Sequence, residues 1–437
     1  MKQCQSAMGR LLAVIALITS AATILCDGRE SSSDPLDTER FGHQRGDATH
    51  VFKEYVPRLN NRNDLLKLGR VKRDYVHQIV FVVQQKNIDL LTNILHDVSD
   101  PESVNYGNHI TRDQVTAMTS NPESRDTILS YLESVGANVV AESLSGEYIT
   151  ANASIKVWEN VFNTEFYYFH KTHQVGHVEI LVRSENYSIP IGLVSHVESA
   201  FNTIQIPHIS FGSGIRTLDG NISSRAYSFP GFTTLSRLRV AYNMGSSTGS
   251  AASTQAVFAA AQQYFSPDDL NYFQRHFGVP DQPVATTIGE HSSNTKCKES
   301  ASNCDEGNLD VQYLMATSPS SPTTFWYTDF SFGSWLLTVA NTTDPPLVFS
   351  ISYGIEEAYL SNSEMSAFTT QAIKLSAVGV TLVASSGDDG AVPRSVRLDG
   401  VKSCTYGPLF PASNPYVTAV GGTMVSETQS HCINVLF

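Results

Sequence analysis

Hydrophobic positions along residues 45–210 alternate between a period of two and a period near 3.6, which predicts strands and helices in turn. Strands are predicted at 78–84, 139–141, 147–151 and 165–170. Helices are predicted where apolar residues recur at helical spacing, at 88–98, 126–135 and 155–162. The order β-α-β-β-α-β, with one extra helix, predicts a ferredoxin-like α+β domain.

A second pattern covers residues 237–437 and predicts a parallel sheet flanked by helices. A strand at 347–353 precedes a helix that starts at the capping box Ser361 to Glu364 and ends near Gly379. The next strand is predicted at 380–384, and another helix at 251–265. A β-α-β run of this kind builds a parallel sheet, which binds ligands at the carboxyl ends of its strands. Residues at those ends are therefore the candidates for chemistry.

Residues 211–236 separate the two regions and show no hydrophobic period. Gly and Ser are frequent there, so the composition predicts an exposed linker, which Arg216 and Arg225 make easy to cleave. An ordered surface loop is the alternative interpretation.

The first 26 residues are typical of a secretory signal peptide. Lys2 and Arg10 precede an apolar stretch at 11–25, which is 15 residues long. A membrane-spanning helix needs about 20 residues, so cleavage is expected rather than anchoring, although an uncleaved anchor is the alternative. No later segment is long and apolar enough to span a membrane. We therefore expect a protein of the secretory route with no membrane contact after removal of the signal peptide.

Composition narrows the class of protein further. Hydrophobic residues make up 41% of the 437 residues and charged residues 16%, which favours a packed core over disorder. The net charge of −13 argues against a nucleic-acid partner. If all 13 His were protonated, the net charge would rise from −13 to zero, so the charge of the surface changes strongly in acid. N-glycosylation sequons, which fit secretion, begin at Asn152, Asn186, Asn221 and Asn341.

Cysteine and histidine positions give little support for a metal site. Loss of the signal peptide removes Cys4 and Cys26, and the remaining Cys297, Cys304, Cys404 and Cys432 allow three pairings or free thiols. No CxxC pair exists, which disfavours a cysteine-based zinc site. His170, His173 and His177 surround a probable turn at Gly176, which favours solvated turn histidines over metal ligands.

Three carboxylates lie where ligand chemistry is expected. Asp388 directly follows the strand predicted at 380–384, although an ordinary turn at Asp389-Gly390 would also explain it. Glu306 and Asp310 are spaced i, i+4, so a helix over 306–316 would place both on one face. The alternative is a pair of solvated acids at a helix start, where the helix dipole favours negative charge.

Three segments together resemble the sedolisins, the serine-carboxyl peptidases. They are EGNLDVQYLMA at 306–316, SGDDG at 386–390 and FPASNPYVTAVGGT at 410–423, in the expected order. Residues 79–107 resemble the propeptide of that family, and the likeness is strongest to its tripeptidyl peptidase-like members. The resemblance implies a subtilisin-like parallel sheet with flanking helices at 237–437, incomplete in this chain. It also implies that residues 45–210 are an activation domain.

The resemblance assigns a role to each carboxylate. Glu306 would be the general base toward a Ser nucleophile, and Asp310 would orient Glu306. Asp388 would donate a hydrogen bond to the oxyanion of the tetrahedral intermediate. Reference pKa values near 4 for carboxyl groups then imply a peptidase that acts in acid, in an extracellular or lysosome-like compartment.

Smaller features fit the same interpretation. Ser352-Tyr353-Gly354 ends a predicted strand and could offer its backbone to a peptide substrate, or it could be a plain turn. Cys297 and Cys304 bracket the approach to Glu306, where a disulfide would fix the loop, with free thiols as the alternative. Calcium is expected by resemblance, but its ligands are absent from this chain. Partners are expected to be peptide substrates and the chain's own propeptide.

The nucleophile of the family is missing from these residues. The family's Ser lies in a Gly-Thr-Ser-Ala motif, which does not occur here, and the nearest similar segment is Thr248 to Ala251. We therefore expect the chain as written to be inactive. One alternative is a non-catalytic secreted fragment whose residues 45–210 bind or inhibit a full-length relative. Another is a secreted glycoprotein that binds ligands at its sheet edge.

Overall fold

A computed structural model describes residues 49–57, 59, 64–172, 178–206, 210–211, 234–328, 332–389, 407–425 and 433–435. The predicted signal peptide and most of the predicted linker lie outside the described residues. So do two of the three clustered histidines, His173 and His177, and the sequon at Asn221. Of the cysteines, only Cys297 and Cys304 are described.

The N-terminal region, residues 49–206, contains nine strands and four α-helices among its described residues. The strands are β1 His50–Tyr55, β2 Leu65–Arg70, β3 Val76–Val83, β4 Asn138–Glu142, β5 Tyr148–Ser154, β6 Phe166–Thr172, β7 Val178–Ser184, β8 Asn186–Pro190 and β9 Val197–Phe201. The helices are α1 Ile88–Ser99, α2 Arg112–Thr119, α3 Pro122–Ser134 and α4 Ile155–Phe162. A 3-10 turn spans Ile191–Leu193.

A four-stranded antiparallel sheet with the order β4-β5-β3-β9 forms the centre of this region. The predictions of β3, β4, β5, α3 and α4 are confirmed. Helix α4 buries Trp158 and Phe162 completely against Phe81 of β3, because its apolar positions form one stripe.

The expectation that residues 165–170 close this sheet is wrong. They do form a strand, β6, but it pairs with β2 and β7 in a separate three-stranded sheet. The edge position beside β3 is taken by β9, some thirty residues later in the chain. An alternating pattern fixes which face of a strand is buried but not which strand it pairs with, so the pattern could not show this.

The C-terminal region begins at residue 234, and a short strand, β10 Ser210–Phe211, precedes it. Its strands are β11 Gln255–Ala259, β12 Thr286–Ile288, β13 Thr323–Tyr327, β14 Val348–Ile351, β15 Tyr353–Glu356, β16 Thr381–Ser385, β17 Leu409–Phe410, β18 Thr418–Val420, β19 Thr423–Val425 and β20 Ile433–Val435. Its α-helices are α5 Leu235–Ala241, α6 Pro267–Phe277, α7 Asn294–Glu299, α8 Asp305–Thr317, α9 Phe332–Ala340 and α10 Asn362–Ala377. Two 3-10 turns span Ala301–Asn303 and Glu357–Tyr359.

A six-stranded parallel sheet, in the order β12-β13-β11-β14-β16-β18, organises this region. The predicted parallel α/β architecture is therefore confirmed. The capping box from Ser361 to Glu364 is present at the start of α10, and Gly379 follows its end with a φ of 94°. Residues 347–353 contribute to two strands rather than one: β14 belongs to the parallel sheet, and β15 pairs with β10 and β17 in a separate sheet.

The prediction of a helix at 251–265 is wrong. The segment contains β11, the strand that pairs with both β13 and β14 near the middle of the parallel sheet. All five residues of β11 are buried, so the strand shows no alternation. A short, fully buried apolar run cannot be told from a buried helix by periodicity alone, and its many alanines favour helix locally.

The two regions share a continuous buried interface. One apolar cluster joins Val80, Val82 and Tyr148 of the N-terminal region with Phe258 and Trp335 of the C-terminal region. Helix α10 contacts α1 and β9, and a buried ion pair between Lys374 and Glu147 crosses the interface. Within the described ranges, no helix is both long enough and apolar enough to cross a membrane.

Candidate active site

Helix α8 carries Glu306 and Asp310 one turn apart, as the i, i+4 spacing predicts. Glu306 is 8% exposed, so the alternative of a solvated acid at a helix start does not describe it. The helix lies directly against the preceding chain: a Cβ atom at Gly307 would come within 2.3 Å of the Tyr264 carbonyl oxygen. Only glycine permits this close approach of α8 to the preceding chain, next to Glu306.

Polar contacts and a disulfide hold the start of α8 in place. Gln263 accepts from the Glu306 backbone N–H at 3.2 Å and donates to the Ser302 carbonyl at 2.8 Å. Cys304, immediately before the helix, is buried and bonded to Cys297, so the pairing of these two cysteines is confirmed. Ala261 and Gln262, which follow β11, have φ values of 57° and 59°. Two successive left-handed residues are costly, and strain of this kind is concentrated at functional sites.

Removing the disulfide with Cys304→Ser is expected to destabilise the chain. The two bonded cysteines are seven positions apart in the sequence. For a loop of this length the chain-entropy model gives a stabilisation of about 2.5 kcal/mol. Urea unfolding of the two proteins, followed by tryptophan fluorescence, measures the difference. Cys297→Ser should cause a similar loss, because either change opens the same loop. Equal unfolding midpoints for the variants and the unmodified chain would contradict this.

Ser352, between β14 and β15, brings a hydroxyl group to the carboxylates. Its Oγ donates a hydrogen bond to Oδ1 of Asp310 at 2.7 Å. Ser352 also lowers the pKa of Glu306, against the rise that burial causes. The residue was predicted as part of a substrate-binding segment, whereas here its side chain contacts Asp310. No local pattern indicates this contact, because Ser352 lies 42 positions after Asp310 in the chain.

Asp388 lies where the sequence places it, in the loop that follows β16 at the carboxyl end of the parallel sheet. Its side chain is exposed, and its negative charge acts on Glu306. The preceding residue, Gly387, has a φ of 87°, a conformation that favours glycine. The three predicted carboxylates are therefore brought to one edge of the sheet.

The environment of the carboxylates favours their protonated forms. Burial is the main reason why the pKa of Glu306 is raised, and the charges of Asp310 and Asp388 raise that pKa further. Burial also raises the pKa of Asp310, while the hydrogen bond from Ser352 opposes that rise. Like charges so close cannot both ionise readily, so the pair retains a proton at a pH where exposed carboxyl groups have lost theirs.

The backbone of Tyr353 and Gly354 is already paired with another part of the chain. Ser210 and Phe211 form β10, which runs antiparallel to β15 with Ser210 opposite Gly354 and Phe211 opposite Tyr353. These two residues lie at the predicted boundary between the N-terminal region and the linker. On the opposite side of β15, a Cβ atom at Gly354 would come within 2.4 Å of Leu409 Cδ2. Tyr353 and Gly354 thus lie in a strand that pairs with another part of the chain, rather than in a plain turn.

The segment from Thr248 to Ala251 does not belong to this site. It precedes β11, at the amino end of the parallel sheet, and the Ser250 backbone N–H contacts the Ser321 hydroxyl. Glu306 lies at the other end, held by Gln263 beyond the carboxyl end of β11. A five-residue strand separates the two positions by roughly 16 Å. Ser250 is therefore not placed to be a nucleophile for Glu306.

A known protein family resembles the N-terminal region. The sequence model described as "Pro-kumamolisin, activation domain" matches residues 63–205, which is the N-terminal region of the structure. Among solved structures, Pseudomonas sedolisin (serine-carboxyl proteinase) complexed with two molecules of pseudo-iodotyrostatin matches 44% of this chain and 54% of its own. That match has 23% sequence identity and a TM-score of 0.35.

Similarity to curated proteins extends over most of the chain and agrees with the match of the activation-domain model. The curated relatives of the chain include tripeptidyl-peptidase 1 of Pongo abelii, 29% identical over 401 residues that cover 85% of this chain and 66% of the relative. Tripeptidyl-peptidase 1 of Homo sapiens is also 29% identical, with 85% and 67% covered. The chain spans about two thirds of the length of these relatives.

Proposed function

We propose that this chain is the precursor of an acid-acting, tripeptidyl peptidase-like serine-carboxyl peptidase, which hydrolyses peptide bonds through a Ser-Glu-Asp triad. The observation that carries the proposal is the placement of Glu306 and Asp310. Both lie on one face of α8, at the carboxyl edge of a parallel sheet, with Asp388 across from them. Burying two carboxylates is costly. Acids whose pKa is shifted by burial and by neighbouring charges are concentrated at functional sites, which is why the placement supports a catalytic role.

Each carboxylate has a role in this proposal. Glu306 takes the proton of a Ser nucleophile, and Asp310 orients Glu306 from the next turn of the same helix. Asp388 donates a hydrogen bond to the oxyanion that develops as the peptide carbonyl is attacked. Its exposed position in the loop after β16 supports this role, because a reacting peptide must reach it.

The pairing of β10 with β15 supports a substrate-binding role for Ser352-Tyr353-Gly354. An extended peptide that adds to the edge of β15 would use the same backbone groups as Ser210 and Phe211. The segment that leaves the N-terminal region therefore occupies the place proposed for substrate. On this basis residues 45–210 act as the activation domain, 211–236 as the linker and 237–437 as part of the peptidase domain.

The finer architecture is also proposed from strand order. If the four strands of the central antiparallel sheet are numbered in chain order, their spatial order is 2-3-1-4. This is the arrangement of a ferredoxin-like domain and supports that class for the activation domain. Parallel strands joined by α9 and α10 support a subtilisin-like sheet in the C-terminal region.

The resemblance also implies calcium. Among the described residues, no group of three or more His, Cys, Asp or Glu side chains is placed to hold a metal ion, and we assign none of them to calcium.

A peptidase assay tests the proposed reaction. We expect the 437 residues alone to be inactive, because they contain no Gly-Thr-Ser-Ala segment. Long-read sequencing of the transcript across the codon for Phe437 would identify any such segment in the same frame. A chain that includes it should release tripeptides from a fluorogenic substrate between about pH 4 and 6. Activity of the 437-residue chain, or inactivity of the longer folded one, would contradict the proposal.

A second function, inhibition of a full-length relative, is favoured by the same β10 pairing. The segment that pairs with β15 in this molecule could pair in the same way with the corresponding strand of a full-length relative. Residues 45–210 would be added to an active relative, and the unmodified segment should slow hydrolysis competitively with peptide substrate. Ser210→Pro is the matched variant, since proline removes the backbone donor at the strand position. Equal inhibition by both segments would contradict a role for this pairing.

A further inference from the structure

Residues 67–73 form a basic segment in a chain whose net charge is −13. Four of these seven residues are Lys or Arg, and none is acidic. Lys72 and Arg73 are the only two adjacent Lys or Arg residues in the whole sequence. Together with Arg70 they make the sequence Arg-Val-Lys-Arg, which presents three cations within four positions.

The basic pair lies at the tip of the turn that connects β2 with β3. The Tyr75 backbone N–H donates to the Lys72 carbonyl at 3.0 Å, which closes a four-residue turn. Arg73 and Asp74 are the two central residues of this turn. Residues 72–76 are all exposed, and the Arg73 side chain is 61% exposed. The peptide bond between Arg73 and Asp74 therefore faces solvent at a loop tip, where folded proteins are preferentially cut.

Strand β2, which leads into this turn, is weakly held. It is an edge strand that pairs with β6 alone among the described strands, and five of its six residues are exposed. Its register with β6 shifts between Lys67 and Arg70. The contact that anchors its end is Val71, which is buried and donates its N–H to the Phe166 carbonyl at 3.0 Å. Segments with few buried side chains open locally at low cost, so this one can become extended in the cleft of a peptidase.

One carboxylate already binds both arginines of the basic segment. Glu159 on α4 contacts Arg70 at 2.5 Å and Arg73 at 3.4 Å. Arg70 also pairs with Glu165 at 2.8 Å. The two arginine side chains are 47% and 61% exposed, and ion pairs at such positions are weak. Carboxylates of a partner can therefore replace Glu159, and the site fits a partner with acidic subsites for both arginines.

We propose that the Arg73–Asp74 bond is a processing site for a secretory endopeptidase that recognises paired basic residues. Its acidic subsites would bind the guanidinium groups of Arg70 and Arg73 and the ammonium group of Lys72. Hydrolysis breaks the bond between the Arg73 carbonyl carbon and the Asp74 nitrogen. Water supplies a hydroxyl to that carbon and a proton to that nitrogen, so one product ends in a carboxylate and the other begins at Asp74. The proposal does not depend on the roles proposed for the carboxylates of α8.

The cut would change how the N-terminal region is attached to the C-terminal region. Strands β1 and β2 precede the bond, and β1 carries Glu54. The Glu54 carboxylate accepts the Ser363 backbone N–H at 2.8 Å and the Ser363 hydroxyl at 2.5 Å, at the start of α10. After hydrolysis this contact between the regions belongs to a separate peptide, which can dissociate.

Digestion of the folded 437-residue chain with a subtilisin-like proprotein convertase, which cleaves after Arg-X-Lys-Arg, tests the proposal. Intact-mass spectrometry and N-terminal sequencing locate each cut, and the first new N-terminus should be Asp74. Arg216 and Arg225, which have no adjacent basic residue, should remain uncut. Arg73→Gln should slow the cut by roughly 10²-fold or more, because an acidic subsite loses its cation. Lys72→Gln should slow it by about tenfold for the same reason.

Arg125→Gln is the matched control, because Arg125 is also ion-paired with a glutamate of the N-terminal region but has no basic neighbour. It should be cut at the rate of the unmodified chain. If the folded chain resists while a synthetic peptide of residues 66–78 is cut, the proposal is overturned. First cleavage at any other bond, or equal rates for Arg73→Gln and the unmodified chain, would overturn it too. If Arg73→Gln fails to fold, Lys72→Gln decides the matter, and an unchanged rate for that variant rejects the site.

Discussion

Replacing Lys374 by methionine is expected to weaken the contact between the two regions by about 3 to 5 kcal/mol, as for other buried pairs that lose one partner. Lys374 on α10 and Glu147 beside β5 are 7% and 4% exposed, and they are paired across the interface. Lys374 also donates to Oε1 of Gln85 at 3.2 Å. Methionine fills a similar volume but leaves the Glu147 carboxylate buried without its cation.

Urea unfolding of the full chain measures this loss, and a double variant separates its causes. Adding Glu147→Leu to Lys374→Met removes the stranded charge and should restore much of the lost stability. Lys296→Met is the matched control, because Lys296 pairs with Glu299 at the surface, and its midpoint should stay unchanged. If Lys374→Met unfolds at the same urea concentration as the unmodified chain, the ion pair does not hold the regions together.

The burial of Lys374 in the interface also predicts that the regions separate more readily in acid. Burial, followed by the nearby charge of Arg112, lowers the pKa of Lys374 to about 7 from its usual 10.5. Between these values the associated state binds fewer protons than the separated one, so association strengthens as the pH rises through this window. Below pH 7 that gain is absent. Size-exclusion chromatography after cleavage within 211–236, at pH 4 and pH 8, should find co-elution only at pH 8.

Local signals in the sequence predicted much of this fold. The capping box at Ser361 and the glycine at 379 set the two ends of α10, because each satisfies backbone groups that a helix leaves unpaired. The spacing of Glu306 and Asp310 likewise predicted their shared face on α8. These features need no knowledge of the rest of the chain, since every contact involved lies within about four residues.

What the sequence could not predict depends on distant contacts. Strand β11 is a strand because β13 and β14 flank it on both sides, which its alanine-rich segment does not reveal. Strand β9 was missed, and β6 was placed in the wrong sheet, because pairing between strands is decided by the whole fold. The contact between Ser352 and Asp310 belongs to the same class. It arises only after the parallel sheet has brought α8 and the end of β14 together.

In a chain extended to include a Ser nucleophile, Glu306→Gln is expected to lower kcat/KM by roughly 10²- to 10⁴-fold, the usual contribution of a general base. Glutamine keeps the shape of the side chain but cannot take the proton of the nucleophile. Asp310→Asn should also reduce kcat, because the variant loses the carboxylate that orients Glu306 in the proposed triad. Hydrolysis of a fluorogenic tripeptide substrate, measured from pH 3 to 7, compares the variants.

The pH profile distinguishes a lost base from a disturbed fold. With Glu306 intact, kcat should rise with pH through the titration of the acid pair, since only ionised Glu306 accepts a proton. The residual activity of Glu306→Gln should lack that rise, whereas a variant that merely folds less completely would retain it at lower amplitude. Glu299→Gln, on the exposed helix α7, is the matched control and should keep both the rate and the profile. If Glu306→Gln also retains both, Glu306 is not the base, and the proton of the nucleophile must pass to another group in the site.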